Sequence, residues 1–456
     1  MRERAVILGG GESGTGAALL AKVKGYDVFL SDQGTLKDKY RDELTNAGIA
    51  FEEGKHTAEL ILNANVIIKS PGIPEKAELV KKAKASVIKV IDELEFAFGH
   101  LTGKVIAITG TNGKTTTTLL THHLLRSSGK SVVLAGNVGL SLARQVAAGN
   151  ADWYVIEISS YQLDGTVKFK PEIAILLNIT PDHLDRYEYK MENYVESKFR
   201  IVMNMNKDGQ FIYYKDDEVT GVEVSRRTIA PHRIAVSLKG NSDVYAEGDQ
   251  MNFSKFSIKQ SETTLKGPHN LINTMSAVSA ALFAGVSESD IRAALKTFKN
   301  APHRLESVAT IKGVEFVNDS KATNVDSVIY ALGSYTQPLV WIAGGIDKGN
   351  DYNLIKEQVK KKVRTLICLG KDNAKLKGFF GDVVGEIYET QTVKELVRMA
   401  LKSAKEGDVV LLSPACASFD LFRNYEDRGD QFRAAVLELQ DEVGPEQRTT
   451  NNERRA

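Results

Sequence analysis

The chain lacks the features of a disulfide-stapled, membrane-spanning or nucleic-acid-binding protein. It has two cysteines in 456 residues, too few for a disulfide framework and consistent with a reducing compartment. No apolar run is long enough to cross a membrane, and no apolar targeting segment follows Met1. The net charge is +1, without a basic stripe interleaved with aromatic residues, so neither nucleic acid nor an anionic membrane is expected as the main partner. These absences predict a cytosolic protein, taken to be a monomer, with small-molecule partners.

The length predicts more than one domain. Short apolar strands alternate with helical stretches near both ends of the chain, which is typical of parallel α/β sheets. The predicted strands cover residues 5–8, 27–31, 66–69, 87–90, 105–109, 153–158, 173–177, 339–342, 365–369 and 408–412. Residues 211–265 are turn-rich and alternating, which predicts a small antiparallel addition.

We therefore expect an α/β protein of three domains, each with a mainly parallel sheet. Residues 1–94 would form a Rossmann-like N-terminal domain and residues 95–300 a central domain of the P-loop ATPase type. Residues 301–443 would form a second Rossmann-like domain. Residues 444–456 are polar without apolar periodicity, which predicts a frayed tail.

The most informative motif is a glycine-rich loop at the centre of the chain: Gly110, Thr111, Asn112, Gly113, Lys114 and Thr115. An apolar strand precedes it and a helix is predicted over residues 116–128, so loop amides and a helix N-terminus would face a phosphate group. Lys114 would reach the terminal phosphates, and the hydroxyl of Thr115 would coordinate Mg²⁺. The loop is shorter than the common phosphate-binding motif, because Ile108 stands where the first glycine is expected. The alternative is a chance turn rich in glycine and threonine.

Acidic and polar residues follow the strands next to this loop. Glu157 interrupts an apolar strand, and a buried carboxylate requires a partner or a metal, which favours Mg²⁺ beside the phosphates. The alternative is an acid that points from the strand end into water. The next strand ends in a polar segment, residues 178–187, whose His183 and carboxylates suit metal and phosphate chemistry.

A second glycine loop, residues 9–14, follows the first strand and matches G-x-G-x-x-G, with Asp32 ending the next strand. The pattern favours a nucleotide pyrophosphate, either NAD or another nucleotide diphosphate. The alternative is that these glycines only allow the strand and the following helix to pack closely. In the last third of the chain, residues 318–324, 344–348 and 413–420 form polar turns after strands. Such turns suit a charged small molecule, although simple helix capping would also explain the last one.

Taken together, these motifs resemble those of the Mur ligases, which form amide bonds at the expense of ATP. The resemblance covers nearly the whole chain and rests on GTNGKT at 110–115, GNVG at 136–139, EISSYQL at 157–163, NITPDHLDRY at 178–187, SKFRI at 197–201, GPHNLIN at 267–273, APHRLE at 301–306 and NDSKATN at 318–324. Residues 413–432 resemble the member that adds D-glutamate. The DNPR-type motif of the member that adds a diamino acid is missing.

The resemblance implies a role for each matching residue. ATP and its Mg²⁺ would be held by Gly110, Thr111, Asn112, Gly113, Lys114, Thr115, Thr116, Asn270 and Arg304. Two Mg²⁺ ions would be bound through Thr115, Glu157, His183 and Lys198. Lys198 would be the family's carbamylated lysine, because an unmodified ammonium group would repel the metal. The alternative is an ordinary lysine on the helix surface. Catalysis would fall to Lys114, His183, Lys198 and Arg304.

The two other substrates implied are UDP-N-acetylmuramoyl-L-alanine and D-glutamate. The nucleotide sugar would be contacted by Ser13, Asp32, Ser70, Pro71, Gly72, Asn137, Ser159 and Gln162. The carboxylates of D-glutamate would be contacted by Thr323, Lys348, Ser418 and Tyr425, with the substrate residue Lys321 and Asp319 lining the same region. The chain departs from the family twice: Tyr425 replaces the usual phenylalanine, and the arginine often found after the acid at position 32 is missing.

The expected reaction is ATP-driven amide formation through an acyl phosphate. A folylpolyglutamate-type ligase would share the loop but would not need the N-terminal domain. A P-loop switch or motor would favour the full motif spacing. An NAD-dependent oxidoreductase would leave the central loop, Glu157 and His183 without a role.

Overall fold

The computed structural model describes residues 2–182 and 184–444 and contains three β-sheets. Contacts divide the described chain into two units, one of residues up to 265 with 270–298, the other of residues 266–269 with those from 299 onward. The domain boundaries at 94/95 and 300/301 stay predictions. Except for Gly444, the predicted tail lies outside the described residues. No helix in the described part of the chain is both long and apolar enough to span a bilayer.

The first sheet has five parallel strands in the order β3-β2-β1-β4-β5. Its strands are β1 (Arg4–Leu8), β2 (Asp27–Ser31), β3 (Ala50–Glu52), β4 (Val66–Lys69) and β5 (Lys89–Asp92). Its helices are α1 (Glu12–Val23), α2 (Asp38–Asn46), α3 (Ala58–Leu62), α4 (Glu78–Ala85) and α5 (Glu93–Phe98). This order places the topological switch between β1 and β4, beside the first glycine loop.

The second sheet has nine strands in the order β14-β13-β12-β11-β10-β9-β6-β8-β7. Its strands are β6 (Lys104–Thr109), β7 (Val132–Gly136), β8 (Trp153–Glu157), β9 (Ile173–Leu176), β10 (Gln210–Tyr214), β11 (His232–Ser237), β12 (Val244–Glu247), β13 (Gln250–Asn252) and β14 (Ser257–Lys259). Its helices are α6 (Lys114–Ser127), α7 (Leu142–Ala148), α8 (Ser160–Asp164), α9 (Met191–Phe199), α10 (Glu218–Arg226), α11 (Pro268–Phe283) and α12 (Glu288–Leu295).

The prediction of an antiparallel addition over residues 211–265 is wrong for its first half. β10 and β11 extend the parallel part of the sheet, and only β12 to β14 pair in antiparallel fashion. The reason is α10, which lies between β10 and β11 in the chain and provides the crossover that parallel neighbours require.

The third sheet has six strands in the order β15-β16-β20-β17-β18-β19, parallel except for β15 against β16. Its strands are β15 (Glu306–Ile311), β16 (Val314–Asn318), β17 (Leu339–Ala343), β18 (Val363–Leu369), β19 (Glu386–Thr390) and β20 (Val409–Leu412). Its helices are α13 (Val325–Gly333), α14 (Lys356–Lys362), α15 (Ala374–Phe380), α16 (Val393–Ser403) and α17 (Tyr425–Val443). The expected α/β class with three mainly parallel sheets is confirmed.

Candidate active site

The phosphate-binding loop is the short turn between β6 and α6. β6 is apolar and buried, and α6 begins at Lys114, two residues earlier than predicted. Gly110 and Gly113 flank the turn with φ of 148° and 85°, a region that favours glycine. A Cβ on Gly113 would also lie 2.4 Å from Asn273 Oδ1. Glycine is therefore favoured at both positions by the backbone conformation, and at 113 it is also required by the close approach of α11.

Two lysine side chains converge on one carbonyl of this loop. Lys114 Nζ donates to Gly110 O at 2.9 Å, and Lys198 Nζ donates to the same oxygen at 2.8 Å. Lys198, on α9, is 1% exposed, and burial, followed by the charge of Lys114, holds the pKa of its amine well below its ordinary value. A buried amine with a lowered pKa carries a smaller share of its charge and is a better nucleophile.

Glu157 lies at the end of β8, next to β6, and is 2% exposed. Its Oε1 accepts a hydrogen bond from Asn137 Nδ2 at 2.7 Å, whereas its buried Oε2 has no hydrogen-bond partner among the described residues. An orphaned carboxylate oxygen is the donor that a hard divalent cation requires, so this residue fits Mg²⁺. The described residues contain no group of three or more His, Cys, Asp or Glu arranged for a metal. His183 lies outside the described residues.

The predicted ATP contacts and nucleotide-sugar contacts of the second sheet have structural partners of their own. Ser159 Oγ caps α8 by accepting from Gln162 N, and Gln162 Oε1 accepts from Ser159 N at 3.0 Å. Asn270 is buried in the first turn of α11 and accepts from Asn273 Nδ2 at 3.0 Å. Asn273 also lies against Gly113. Asn273 therefore packs against the phosphate-binding loop, a role that sequence reasoning missed although Asn273 belongs to the GPHNLIN motif.

The structure brings the first glycine loop together with Asp32 and Ser70. Asp32 accepts hydrogen bonds from Gly10 N and, at 2.7 Å, from Gly34 N. A Cβ on Gly14 would lie 1.7 Å from Gly9 O, so only glycine fits there. Ser70 Oγ would be 2.7 Å from a Cβ on Gly9.

The surroundings of this loop complete a candidate nucleotide site. Pro71 O accepts from Arg186 Nη2 at 3.3 Å, which joins the segment after β4 to the polar segment of the second sheet. Ser13 is half-buried in the first turn of α1 and Gly72 is exposed. A cavity of about 470 Å³ also opens at the ends of these strands, and its lining includes Gln33, Lys55, His56 and Ile73.

In the other unit, the predicted amino-acid contacts lie on the turns after β16, β17 and β20. Lys321 Nζ donates to Tyr425 OH at 3.0 Å; Thr323 is half-buried, Ser418 buried and Lys348 exposed. Asp319 accepts from Ser413 Oγ at 2.9 Å, and burial raises the pKa of its carboxyl to about 7. Arg304 is half-buried just before β15 and accepts at its carbonyl from Asn300 Nδ2.

Arg428 joins these three turns and was missed by sequence reasoning. It is 1% exposed and donates to Ser320 Oγ at 2.9 Å and Ser320 O at 2.8 Å. It also donates to Gly344 O at 3.3 Å and Cys416 O at 3.2 Å. Burial lowers the pKa of this guanidinium to about 10. One buried side chain therefore fixes the relative positions of all three turns.

Comparison with known proteins identifies the family of this chain. Three family models match: the MurD N-terminal domain over residues 4–79, the Mur ligase middle domain over 108–281 and the Mur ligase glutamate ligase domain over 303–416. A relative from Cytophaga hutchinsonii is 53% identical over 96% of this chain and 100% of its own length, and one from Bacteroides thetaiotaomicron is 50% identical over the same shares. Both are named UDP-N-acetylmuramoylalanine--D-glutamate ligase.

Solved structures show the same fold. The UDP-N-acetylmuramate-alanine ligase of Thermotoga maritima superposes with a TM-score of 0.62 at 18% identity, over 97% of this chain and 100% of that chain. The MurF ligase of the same organism, solved in complex with ADP, gives 0.60 at 15% identity, over 91% and 96%. The family models and the near-full-length relatives, on this fold, show an ATP-dependent ligase. The chain belongs to the Mur ligase family, and the near-full-length relatives reported above carry the name of its D-glutamate-adding member.

Proposed function

We propose that the protein joins D-glutamate to UDP-N-acetylmuramoyl-L-alanine in peptidoglycan precursor synthesis, using ATP. The observation that carries this proposal is the near-full-length identity of about half with relatives of that name. The site supports it, because a phosphate-binding loop and a buried carboxylate with an orphaned oxygen lie at neighbouring strand ends. The cytosolic location and the monomeric state stay predictions.

In this reaction the substrate carboxylate attacks the γ-phosphorus of ATP, and ADP leaves. The amine nitrogen of D-glutamate then attacks the carbonyl carbon of the acyl phosphate. The C–O bond to phosphate breaks, phosphate leaves and the amine loses a proton. Gly110 to Thr116, Asn270 and Arg304 would bind ATP, with Lys114 neutralising charge on the phosphoryl group.

The bound cations would be held by Thr115, Glu157, His183 and Lys198. Two Mg²⁺ ions would supply charge neutralisation at the transferring phosphoryl group. Lys198 would serve as a carbamate, formed when its neutral amine attacks CO₂ and releases a proton. The lowered pKa of this buried amine supports that role, since carbamylation replaces a cation by an anion beside the metal site.

The remaining residues would bind the two other substrates. The first glycine loop with Ser13, Asp32, Ser70, Pro71 and Gly72 would hold the UDP group, whose uracil ring would enter the adjacent cavity. Asn137, Ser159 and Gln162 would orient the sugar end. The carboxylates of D-glutamate would be bound by Thr323, Lys348, Ser418 and Tyr425, and Lys321 would line the same region.

The test measures phosphate release from ATP with UDP-N-acetylmuramoyl-L-alanine, with and without D-glutamate, and the mass of the product. We expect release to depend on D-glutamate and to match amide formation one to one. Equal release in both reactions without an amide product would refute the assignment. L-glutamate in place of D-glutamate provides the matched substrate control.

A further inference from the structure

The side chain of Asn178 is hydrogen-bonded to the phosphate-binding loop at three points. Its Oδ1 accepts from Thr111 N at 3.1 Å and from Asn112 N at 2.8 Å, and its Nδ2 donates to Asn112 O at 3.1 Å. The backbone oxygen of Asn178 also accepts from Thr111 N at 2.9 Å. Asn178 lies two residues after the end of β9, the strand next to β6, so the loop is held against the segment that follows a neighbouring strand.

The loop requires such a restraint because it is short and flanked by glycines. Ile108, at the position of the missing first glycine, is fully buried in β6, so only residues 110–113 connect that strand to α6. Gly110 and Gly113 both have positive φ, and glycine restricts the backbone less than any other residue. Lys114 Nζ restrains the carbonyls of Gly110 and Thr111 from within the loop, whereas the amides of Thr111 and Asn112 are held by contacts from outside it.

A second contact acts on the same residues. Thr111 Oγ1 accepts from Thr180 N at 3.0 Å and lies 3.0 Å from Thr180 O, to which it donates. Both partners lie on the segment that follows β9, 66 to 69 positions along the chain from the loop. Residues 178–180 thus hold the central residues of the loop in one conformation.

We propose that Asn178 is a positioning residue for ATP: it sets the shape of the shortened loop by binding both amides of its central residues. Since the amides of Thr111 and Asn112 are directed at Asn178, these two residues support ATP binding through the shape of the loop rather than through their amides. Lys114 and the N-terminus of α6 then donate to the phosphates. This inference rests on the proposed function only for the identity of the nucleotide.

The experiment compares Asn178→Ala with Asn178→Asp in the full chain. Alanine removes all three side-chain hydrogen bonds, whereas aspartate keeps the shape and the acceptor for both amides. Asn204→Ala is the matched control, because Asn204 Nδ2 likewise holds a loop, donating to Val167 O at 2.8 Å and Phe169 O at 3.0 Å, but this loop is separate from the phosphate site. The affinity for magnesium ADP is measured by calorimetry, and the exchange rates of the Thr111 and Asn112 amides are measured without nucleotide.

We expect Asn178→Ala to weaken ADP binding by about tenfold to a hundredfold, since three side-chain hydrogen bonds, each of modest net strength, are lost. In Asn178→Ala, exchange at the Asn112 amide should accelerate by a similar factor, and exchange at Thr111 should accelerate less, because Thr111 N keeps its bond to the backbone oxygen of residue 178. Both amides should stay slow in Asn178→Asp. Asn204→Ala should leave ADP affinity and both exchange rates unchanged. Wild-type ADP affinity together with wild-type amide protection in folded Asn178→Ala would overturn the inference. If Asn178→Ala does not fold, loss of protection of the Thr111 and Asn112 amides in Asn178→Asp would overturn it. Failure of the unmodified protein to bind ADP would instead count against the proposed function, because the exchange measurement needs no nucleotide.

Discussion

Replacing Glu157 by glutamine is expected to separate stability from activity. In the folded protein the carboxylate is buried, with Oε1 bound to Asn137 and Oε2 without a partner among the described residues. Glutamine has nearly the same shape but no charge, so the substitution removes a buried charge that the protein compensates only in part. The free energy of unfolding should therefore stay unchanged or rise by about 1 kcal/mol. A residue kept for stability would show the opposite sign.

The expected loss of activity follows from the charge of the ion that this carboxylate would face. At an effective dielectric constant of about 20, a single negative charge and a divalent cation about 4 Å apart attract each other by about 8 kcal/mol. If desolvation cancels about half, about 4 kcal/mol remains, which corresponds to about a thousandfold loss in kcat/KM. Activity should recover partly at high Mg²⁺, because the defect lies in metal affinity.

The assay measures phosphate release across a Mg²⁺ titration and urea unfolding without nucleotide. Glu172→Gln is the control, because Glu172 Oε2 accepts from Val105 N at 2.6 Å, at the opposite end of the strands from the phosphate loop. That variant should lose stability and keep its Mg²⁺ dependence. Activity of Glu157→Gln within tenfold of the wild type at low Mg²⁺, or a stability loss above about 2 kcal/mol, would refute the reasoning.

Three further predictions follow from single residues. Burial raises the pKa of Glu93 to about 7 from an ordinary value of 4.5, so between these two pH values its carboxyl is protonated in the folded state and ionised in the unfolded state. The free energy of unfolding should therefore fall by up to about 1.4 kcal/mol per pH unit as the pH rises between these two values. Urea unfolding of Glu93→Gln at several pH values should show a shallower slope, and an unchanged slope would contradict the prediction. Gly14→Ala places a Cβ 1.7 Å from Gly9 O, so calorimetry should show lost affinity for the UDP substrate with ADP affinity retained; equal loss of both would indicate general unfolding. Arg428→Lys keeps the charge but loses the branched donors, so KM for D-glutamate should rise about tenfold while KM for ATP stays constant, and a parallel rise in both would refute a local role.

The fold class and the phosphate loop could be predicted from the sequence because their signals are local. An apolar strand, a glycine turn and a helix lie within residues 104–127, and β2 and β4 have the predicted bounds. The pairing of β10 and β11 was less accessible, because strand direction depends on how the connecting helix packs. Short amphipathic segments such as α10 carry little of that information.

The positioning residues could not be predicted, because their partners are distant in the sequence. Asn178 acts on a loop 66 positions earlier, and Arg428 acts on Ser320, 108 positions earlier. In the sequence alone, an asparagine after a strand or an arginine in the first turns of a helix is typical of capping or of an exposed helix face. Only burial and the convergence of several hydrogen bonds distinguish these roles, and both are properties of the folded chain. The sequence motif therefore identifies the residues near the substrates, whereas the tertiary structure identifies the residues that hold them in place.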